Sequence, residues 1–336
     1  MRVLVTGSAG FIGFSLALRL LERGDEVVGV DGFTAYYDLG LKRARQAKLE
    51  RFATFRGHEF LLEDYDRLRE LFAPGFDVVC HCAAQAGVRY SLENPRAYID
   101  TNLVGTFNML EVMRHAPPRH ALIASTSSVY GANRSTPFRE IDRADHPLTL
   151  YAATKKAGEE MAHAYSHLYG IPVTMLRFFT VYGPWGRPDM ALFKFVSAIA
   201  ADKPIDVYNH GKMQRDFTYI DDLIEAMVRL ISVAPGPPSE RLSAVSPIDS
   251  LSPQAAWRVV NIGAGSPVLL DDFVAAVEKA CGRAARRRNM EMQAGDVPIT
   301  YANTDLLYAL TGYRPATPLA SGVAAFVAWH KSYFGD

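Results

Sequence analysis

The chain has 336 residues, 49% of them hydrophobic, which is enough for one large α/β unit or two joined domains around a substantial core. Lys plus Arg and Asp plus Glu both total 36, so the formal charge is zero and nothing electrostatic favours nucleic acid or an anionic membrane; the expected partner is a small molecule. Three cysteines (Cys80, Cys82, Cys281) are too few for a disulfide framework and fit a reducing cytoplasm.

Arg2 to Val5 is a short β-branched run, Thr6 to Gly10 a tight turn, and Phe11 to Glu22 has helical periodicity ending before Gly24. Hydropathy alone would let this start pass for a signal peptide. Its spaced glycines and Arg19 argue against that, and no uncharged run of membrane-spanning length follows, so an unexported protein without a membrane anchor is expected. Glu26 to Val30 is a second apolar run, closed by Asp31.

Strand, glycine turn, helix, strand and acid form the pattern of a dinucleotide site. Gly7 permits the sharp turn, Gly10 lets backbone approach a pyrophosphate, and Gly13 lets the helix sit close to the strand. The first helical turn, Phe11 and Ile12 included, offers free N–H groups and a positive dipole end to phosphates. Asp31 would accept both ribose hydroxyls and repel a 2′-phosphate, favouring NAD over NADP.

Further strands are expected at Val78 to Cys82, His120 to Ser125, Val173 to Phe178 and Arg258 to Ile262, with helices at Tyr98 to His115 and Ala152 to Tyr169. That alternation predicts an α/β fold, a Rossmann-type doubly wound parallel sheet whose ligands sit beyond the carboxyl ends of the strands. Cys80-His81-Cys82 lies in a buried strand end without a second ligand pair, and His163 with His167 lacks a third ligand; no metal is expected.

The run from His120 continues into IASTSSVYGA, residues 123–132, where Ser125, Thr126, Ser127 and Ser128 place four hydroxyls together without an acid. Tyr151 and Lys155 follow at i and i+4, neighbours on one helix face. The same spacing at Tyr208 and Lys212 reads as a loop. To take a proton from a sugar alcohol near neutrality, the Tyr151 phenol must come down by roughly 2–3 pKa units, or about 3–4 kcal/mol. Lys155 and a nicotinamide cation are the expected source, with Thr126 on the same substrate oxygen.

Beyond Leu230, a Pro- and Ser-rich stretch up to Trp257 reads as an exposed excursion, and the arginine run Arg283, Arg286, Arg287, Arg288 as a solvated face.

Thr6-Gly-x-x-Gly-x-x-Gly13, Ala83-Ala84, Asn102, the hydroxyl cluster before Val129-Tyr130-Gly131, and Tyr151-x-x-x-Lys155 together resemble the extended short-chain dehydrogenase/reductase family of nucleotide-sugar enzymes. Longer stretches, AQAGVRYS from Ala84 to Ser91, RFFTVYGPWGRPDM from Arg177 to Met190 and QRDFTYIDD from Gln214 to Asp222, are similar to the UDP-glucuronate 4-epimerases within it.

The resemblance implies a bound NAD touched also by Ala83, Ala84 and Asn102, and a UDP-sugar whose diphosphate Arg215 grips. Thr180 would lie near the sugar, Arg89 and Arg187 would be substrate-side cations, and Asp296 would touch the uridine ribose. Related dehydratases and decarboxylases carry acids where this chain has Ser127 or Ser128, so the expected reaction is reversible C4 epimerisation through a 4-keto intermediate without decarboxylation. The alternatives are a 4-epimerase of another UDP-sugar, a uronate decarboxylase, or a scaffold that keeps NAD without chemistry. Residues 1–178 with 216–264 would bind NAD, and 179–215 with 265–336 would form a smaller substrate-binding domain. The helices from Tyr98 and Ala152 would form a homodimer interface. One departure stands out: where the family usually carries an aspartate near adenine, this chain reads His58 to Asp64 as HEFLLED, with no role assigned.

Overall fold

The computed structural model describes residues 1–243, 246–293 and 295–335. Among the described residues the strands run β1 (Arg2–Thr6), β2 (Glu26–Asp31), β3 (Phe55–Glu59), β4 (Val78–His81), β5 (His120–Thr126), β6 (Val173–Phe178), β7 (Thr180–Tyr182), β8 (Ile205–Tyr208), β9 (Gln214–Tyr219), β10 (Trp257–Ile262), β11 (Pro267–Leu269), β12 (Arg287–Met290) and β13 (Ile299–Thr300). The helices are α1 (Phe11–Glu22), α2 (Leu39–Leu49), α3 (Tyr65–Phe72), α4 (Tyr90–Glu93), α5 (Pro95–Tyr98), α6 (Thr106–His115), α7 (Leu150–Tyr169), α8 (Ala191–Ala200), α9 (Ile220–Ile231), α10 (Leu270–Cys281), α11 (Asp305–Thr311) and α12 (Leu319–Phe334).

Seven parallel strands form one sheet in the order β10-β6-β5-β4-β1-β2-β3. β1 shows why it is central. Its Val3 and Val5 face one core layer with Phe14, Leu20 and Met227, while Leu4 faces the other with Met109, Ile123 and Met175. A strand apolar on both faces must be covered on both, which the helices on either side supply. The chain moves outward from β1 through β2 to β3, then restarts on the other side at β4. This reversal opens a crevice at the carboxyl ends of β1 and β4.

β3 is a polar edge strand, buried only at Phe55, so it carries no apolar run to signal it. The expected helix from Tyr98 to His115 is broken in structure: α5 ends at Tyr98, Ile99–Gly105 winds in a wider turn, and α6 begins at Thr106. Asn102, at the centre of that widened turn, is buried and spends its amide on the backbone of Gln85 and on Thr154.

Beside the main sheet, β9 pairs with β7, β11 and β13, and β8 pairs with β12. Fully buried Asp216 on β9 stitches this region together by accepting from the backbone N–H of Ala264, Gly265 and Ala302. Two elements depart from the expected domain lines. β9 starts before residue 216 and lies wholly in the smaller sheet, and Leu306 and Leu307 of α11 pack into the core with α1 and α9.

The arginine run is exposed yet ordered into β12, where Arg287 meets Glu278 at 2.8 Å and Arg288 meets Asp206 at 2.6 Å. The excursion after Leu230 is less exposed than its composition suggests: Asp249 and Leu251 are buried, with Arg258 holding the Asp249 carboxylate. His163 and His167 dock this segment onto α7 through Ser252 and the Gln254 carbonyl.

Candidate active site

The glycine turn is built by contact. Gly7 sits at φ +71°, and a Cβ there would lie 2.9 Å from the Ala83 nitrogen; a Cβ on Gly13 would lie 2.1 Å from the Gly7 oxygen. Side chains at either place would push β1, β4 and α1 apart. No side chain caps α1, so the N–H groups of its first turn, at Phe11 and Ile12, remain for a ligand in the adjoining cleft. Asp31 is braced from both sides, accepting from Ala9 N at 3.0 Å and Phe33 N at 2.8 Å. Each carboxylate oxygen keeps a lone pair for a ribose hydroxyl. A side-chain-free cradle, uncapped N–H groups and a fixed acid fit a dinucleotide.

The Ala83 N–H is tied to the Thr6 hydroxyl at 3.1 Å, which fixes the wall opposite the turn. Asn102 does not line the cleft with the other expected cofactor residues; it stands behind the wall and positions Gln85. Past β3, the wall contains Phe60, Leu61, Leu62 and Glu63, whose Oε1 accepts from Thr101 at 2.9 Å. Of the acids in the stretch from His58 to Asp64, Glu63 is the one that lines the cleft.

At the reacting end, β5 stops at Thr126, whose Oγ1 accepts from Ser128 N at 3.2 Å and starts the turn Ser127–Tyr130. Thr149 caps α7, so that Tyr151 enters the cleft in its first turn and Lys155 one turn later. Burial raises the Tyr151 phenol above its usual range; a hydrogen bond from Thr126 and the Arg187 charge pull it back, and Asp189 opposes them. Lys155 is not among these influences. Burial pushes its ammonium down to about 8, against the pull of Cys82 and Glu159. In the protein alone, Thr126 and Arg187 therefore take the share of the tuning that the spacing assigned to Lys155.

Beneath this pair lies a charged network that no local motif signals. Fully buried Glu159 accepts from Ser125 Oγ at 2.7 Å and from Arg177 Nε and Nη2 at 2.9 and 2.7 Å. It locks α7 to β5 and β6, and so fixes Thr126 relative to Tyr151. Only the fold brings Glu159 and Arg177 together; Ser125 belongs to this support.

The cleft, about 940 Å³, runs from the glycine turn past Tyr151 to the smaller sheet. Ser127, Ser128, Thr180, Arg89, Arg187, Arg215 and Asp296 all line it. Arg89 meets Asp296 at 3.4 Å and stacks on Tyr208 at 4.8 Å, clasping the loop after β4 to the segment before β13. Tyr208 thus joins the wall, while Asn209 and His210 at positive φ confirm that Tyr208 to Lys212 is no helix. His81 spends its ring nitrogens on Thr6 and Thr106, at 2.8 and 3.2 Å.

Comparison with known proteins agrees with this geometry. Residues 3–242 match the model of the NAD dependent epimerase/dehydratase family. A probable UDP-glucuronate 4-epimerase of Rhizobium meliloti is 58% identical over 99% of this chain and 98% of its own length. UDP-glucuronate 4-epimerase 4 of Arabidopsis thaliana is 47% identical over 99% of this chain and 76% of its own. Among solved structures, UDP-glucuronic acid 4-epimerase from Bacillus cereus in complex with UDP-glucuronic acid and NAD superposes with a TM-score of 0.87 at 32% identity, covering 99% of this chain and all of that one. With its seven-stranded parallel sheet, glycine turn and Tyr151–Lys155 pair in one cleft, this chain belongs to the NAD-dependent epimerase/dehydratase family.

Proposed function

We propose that the protein interconverts UDP-glucuronate and UDP-galacturonate by NAD-dependent epimerisation at C4, without loss of carbon dioxide. The observation that carries this reading is the single cleft joining the glycine turn, Thr126 with Tyr151, and Arg187, in a chain 58% identical to a probable UDP-glucuronate 4-epimerase.

The glycine turn and Asp31 would hold NAD, which when bound would supply the acceptor and donor of the C4 hydride. Tyr151 takes the C4 hydroxyl proton, with Thr126 hydrogen-bonded to the same oxygen and Lys155 one turn below. Arg215 holds the UDP diphosphate while the 4-keto sugar turns its other face to the cofactor, and Tyr151 then gives the proton back. Arg89 and Asp296 clasp the nucleotide end. A β-keto acid loses carbon dioxide readily when its carboxylate is desolvated and unrestrained; the hydroxyls of Ser127, Ser128 and Thr180 hydrogen-bond it in this cleft, and positions 127 and 128 carry serines in place of the acids that drive elimination.

The site residues expected from sequence keep these roles in the proposal, except Asn102, which acts through Gln85. The division into residues 1–178 with 216–264 and residues 179–215 with 265–336 is retained as a functional partition, crossed by β9 and α11. A homodimer in the cytoplasm completes the reading: α7 and the segment through α6 expose Val104, Phe107, Leu168 and Tyr169, and the described cysteines are free. Among the described residues no helix is long and apolar enough to cross a membrane.

Proton NMR of UDP-glucuronate incubated with the purified protein, with carbon dioxide assayed in parallel, tests the reaction. UDP-galacturonate without carbon dioxide is the expected result; a pentose product would establish a decarboxylase, and exclusive turnover of UDP-glucose a neutral-sugar epimerase. Tyr151→Phe is expected to lower kcat by at least about a hundredfold with little change in KM, as loss of an acid/base group does.

A further inference from the structure

Arg187 and Asp189 lie in the connection between β7 and α8, in the cleft wall. They form a side-on pair: Arg187 Nε donates to Asp189 Oδ1 at 3.0 Å, and Nη2 to Oδ2 at 2.5 Å. Tyr36, from the loop after β2, donates its hydroxyl to the same Oδ2 at 3.0 Å, and its ring centre lies 5.9 Å from the guanidinium carbon. With exposures of 21% and 25%, the pair is sheltered enough for its charges to matter.

Arg187, Asp189 and Tyr151 line the same cleft, and the two charges act on the Tyr151 phenol in opposite directions. In a hexuronate the carboxylate hangs from C5, beside C4, and therefore falls to the same part of the cleft. This step rests on the proposed UDP-glucuronate reading.

Of the five guanidinium N–H groups, Asp189 takes one on Nε and one on Nη2, a side-on grip that turns the Nη1 edge away from the Asp189 carboxylate. A sugar carboxylate thus meets the open edge of a cation already half neutralised from behind. That arrangement suits a sugar that must turn between two hydride transfers. A bare buried arginine would hold one pose of the carboxylate so firmly that leaving it would add to the barrier, since binding realised only in the ground state does not speed the reaction.

We propose that Asp189, held by Tyr36, is a specificity-determining positioning residue: it aims the open edge of Arg187 at the sugar carboxylate and tempers its charge, so that a uronate is recognised without being immobilised. The preference for UDP-glucuronate over UDP-glucose is therefore moderate and rises when the Asp189 charge is removed.

Calorimetric titration of NAD-loaded wild type and Asp189→Asn with UDP-glucuronate and with UDP-glucose tests this. Asp189→Asn is expected to lower the Kd for UDP-glucuronate about tenfold, the effect of removing one nearby like charge in a partly hydrated cleft. The Kd for UDP-glucose stays within about twofold, being set by contacts to the nucleotide that the substitution does not touch. In turnover, KM and kcat for UDP-glucuronate fall together, and Asp189→Glu, which keeps the charge, brings the Kd ratio back toward wild type. Weaker binding of both sugars in Asp189→Asn, or an unchanged ratio, would overturn the proposal and leave Asp189 as a structural anchor for Arg187. Failure of the wild type to turn over UDP-glucuronate would instead refute the epimerase reading, an outcome read separately from the binding ratio.

Discussion

Tyr151 and Lys155 could be picked out because a helix makes i and i+4 neighbours by geometry alone, whatever the rest of the fold does. What surrounds them could not. The environment of Lys155 is set by Cys82 on the β4 side and Glu159 one turn on, and its burial carries a testable cost. Unfolded, the amine titrates near 10.5; folded, near 8. Below about pH 8 both states are charged and the folded state bears the whole desolvation penalty. Between about 8 and 10.5 the folded amine is neutral while the unfolded one still holds its proton, so the penalty shrinks as pH rises. Lys155→Met is therefore expected to stabilise the NAD-free protein by about 2 kcal/mol at pH 7, and by much less at pH 10, while abolishing turnover. Urea denaturation at the two pH values checks it; equal effects at both would show that the substitution acts through packing alone. The same contrast between local and distant information explains why Arg177 was visible only as the start of a motif. Its partner Glu159 is 18 residues away on α7, and only the packing of that helix against β6 brings the two together.

At the level of elements, the strands that read correctly are those buried on both faces, because continuous apolar runs leave few alternatives. β3 and the small sheet were harder: β3 is polar, and β7, β11 and β13 are too short to show a period. The widened turn at Ile99–Gly105 has no signature in hydrophobic spacing, since what it carries inward is the polar amide of Asn102. Two central strands hold buried histidines, His81 on β4 and His120 on β5, and burial pushes them down to about 3 and about 4. Unfolded histidine titrates near 6.5. As pH falls below 6.5 the unfolded chain takes up protons that the folded chain refuses, so stability drops until the folded values are reached. Glu140, raised to about 7 by burial, acts the other way between about 4.5 and 7, but as one group against two. The urea midpoint is expected to rise between pH 4.5 and 6.5; a flat or falling profile would mean that these histidines are hydrated in solution.

For the whole molecule, the site lies where strand order reverses, which is why one glycine turn and one hydroxyl cluster from distant parts of the chain share a cleft. Zero net charge leaves association to apolar surface rather than to fields. α6 and α7 lie side by side, linked by Tyr165 to Glu111 and by Arg114 to Tyr169 at 3.3 Å, and expose Phe107 at 44% and Leu168 at 66%. Large apolar side chains held out on a rigid helix pair are costly in water unless a partner covers them, and a two-fold axis lets the same pair cover itself. Phe107→Glu places a charge in that contact, which a symmetric dimer meets twice. Light scattering after size exclusion is expected to show a dimer for the wild type and a monomer for Phe107→Glu. Since the glycine turn, Thr126, Tyr151, Lys155 and Arg215 of one chain share a cleft, the monomer is expected to retain turnover of UDP-glucuronate at low temperature and lose it at a lower midpoint on heating. A wild-type monomer would remove the dimer from the reading, while a monomeric variant without any turnover would mean that the partner subunit shapes the cleft.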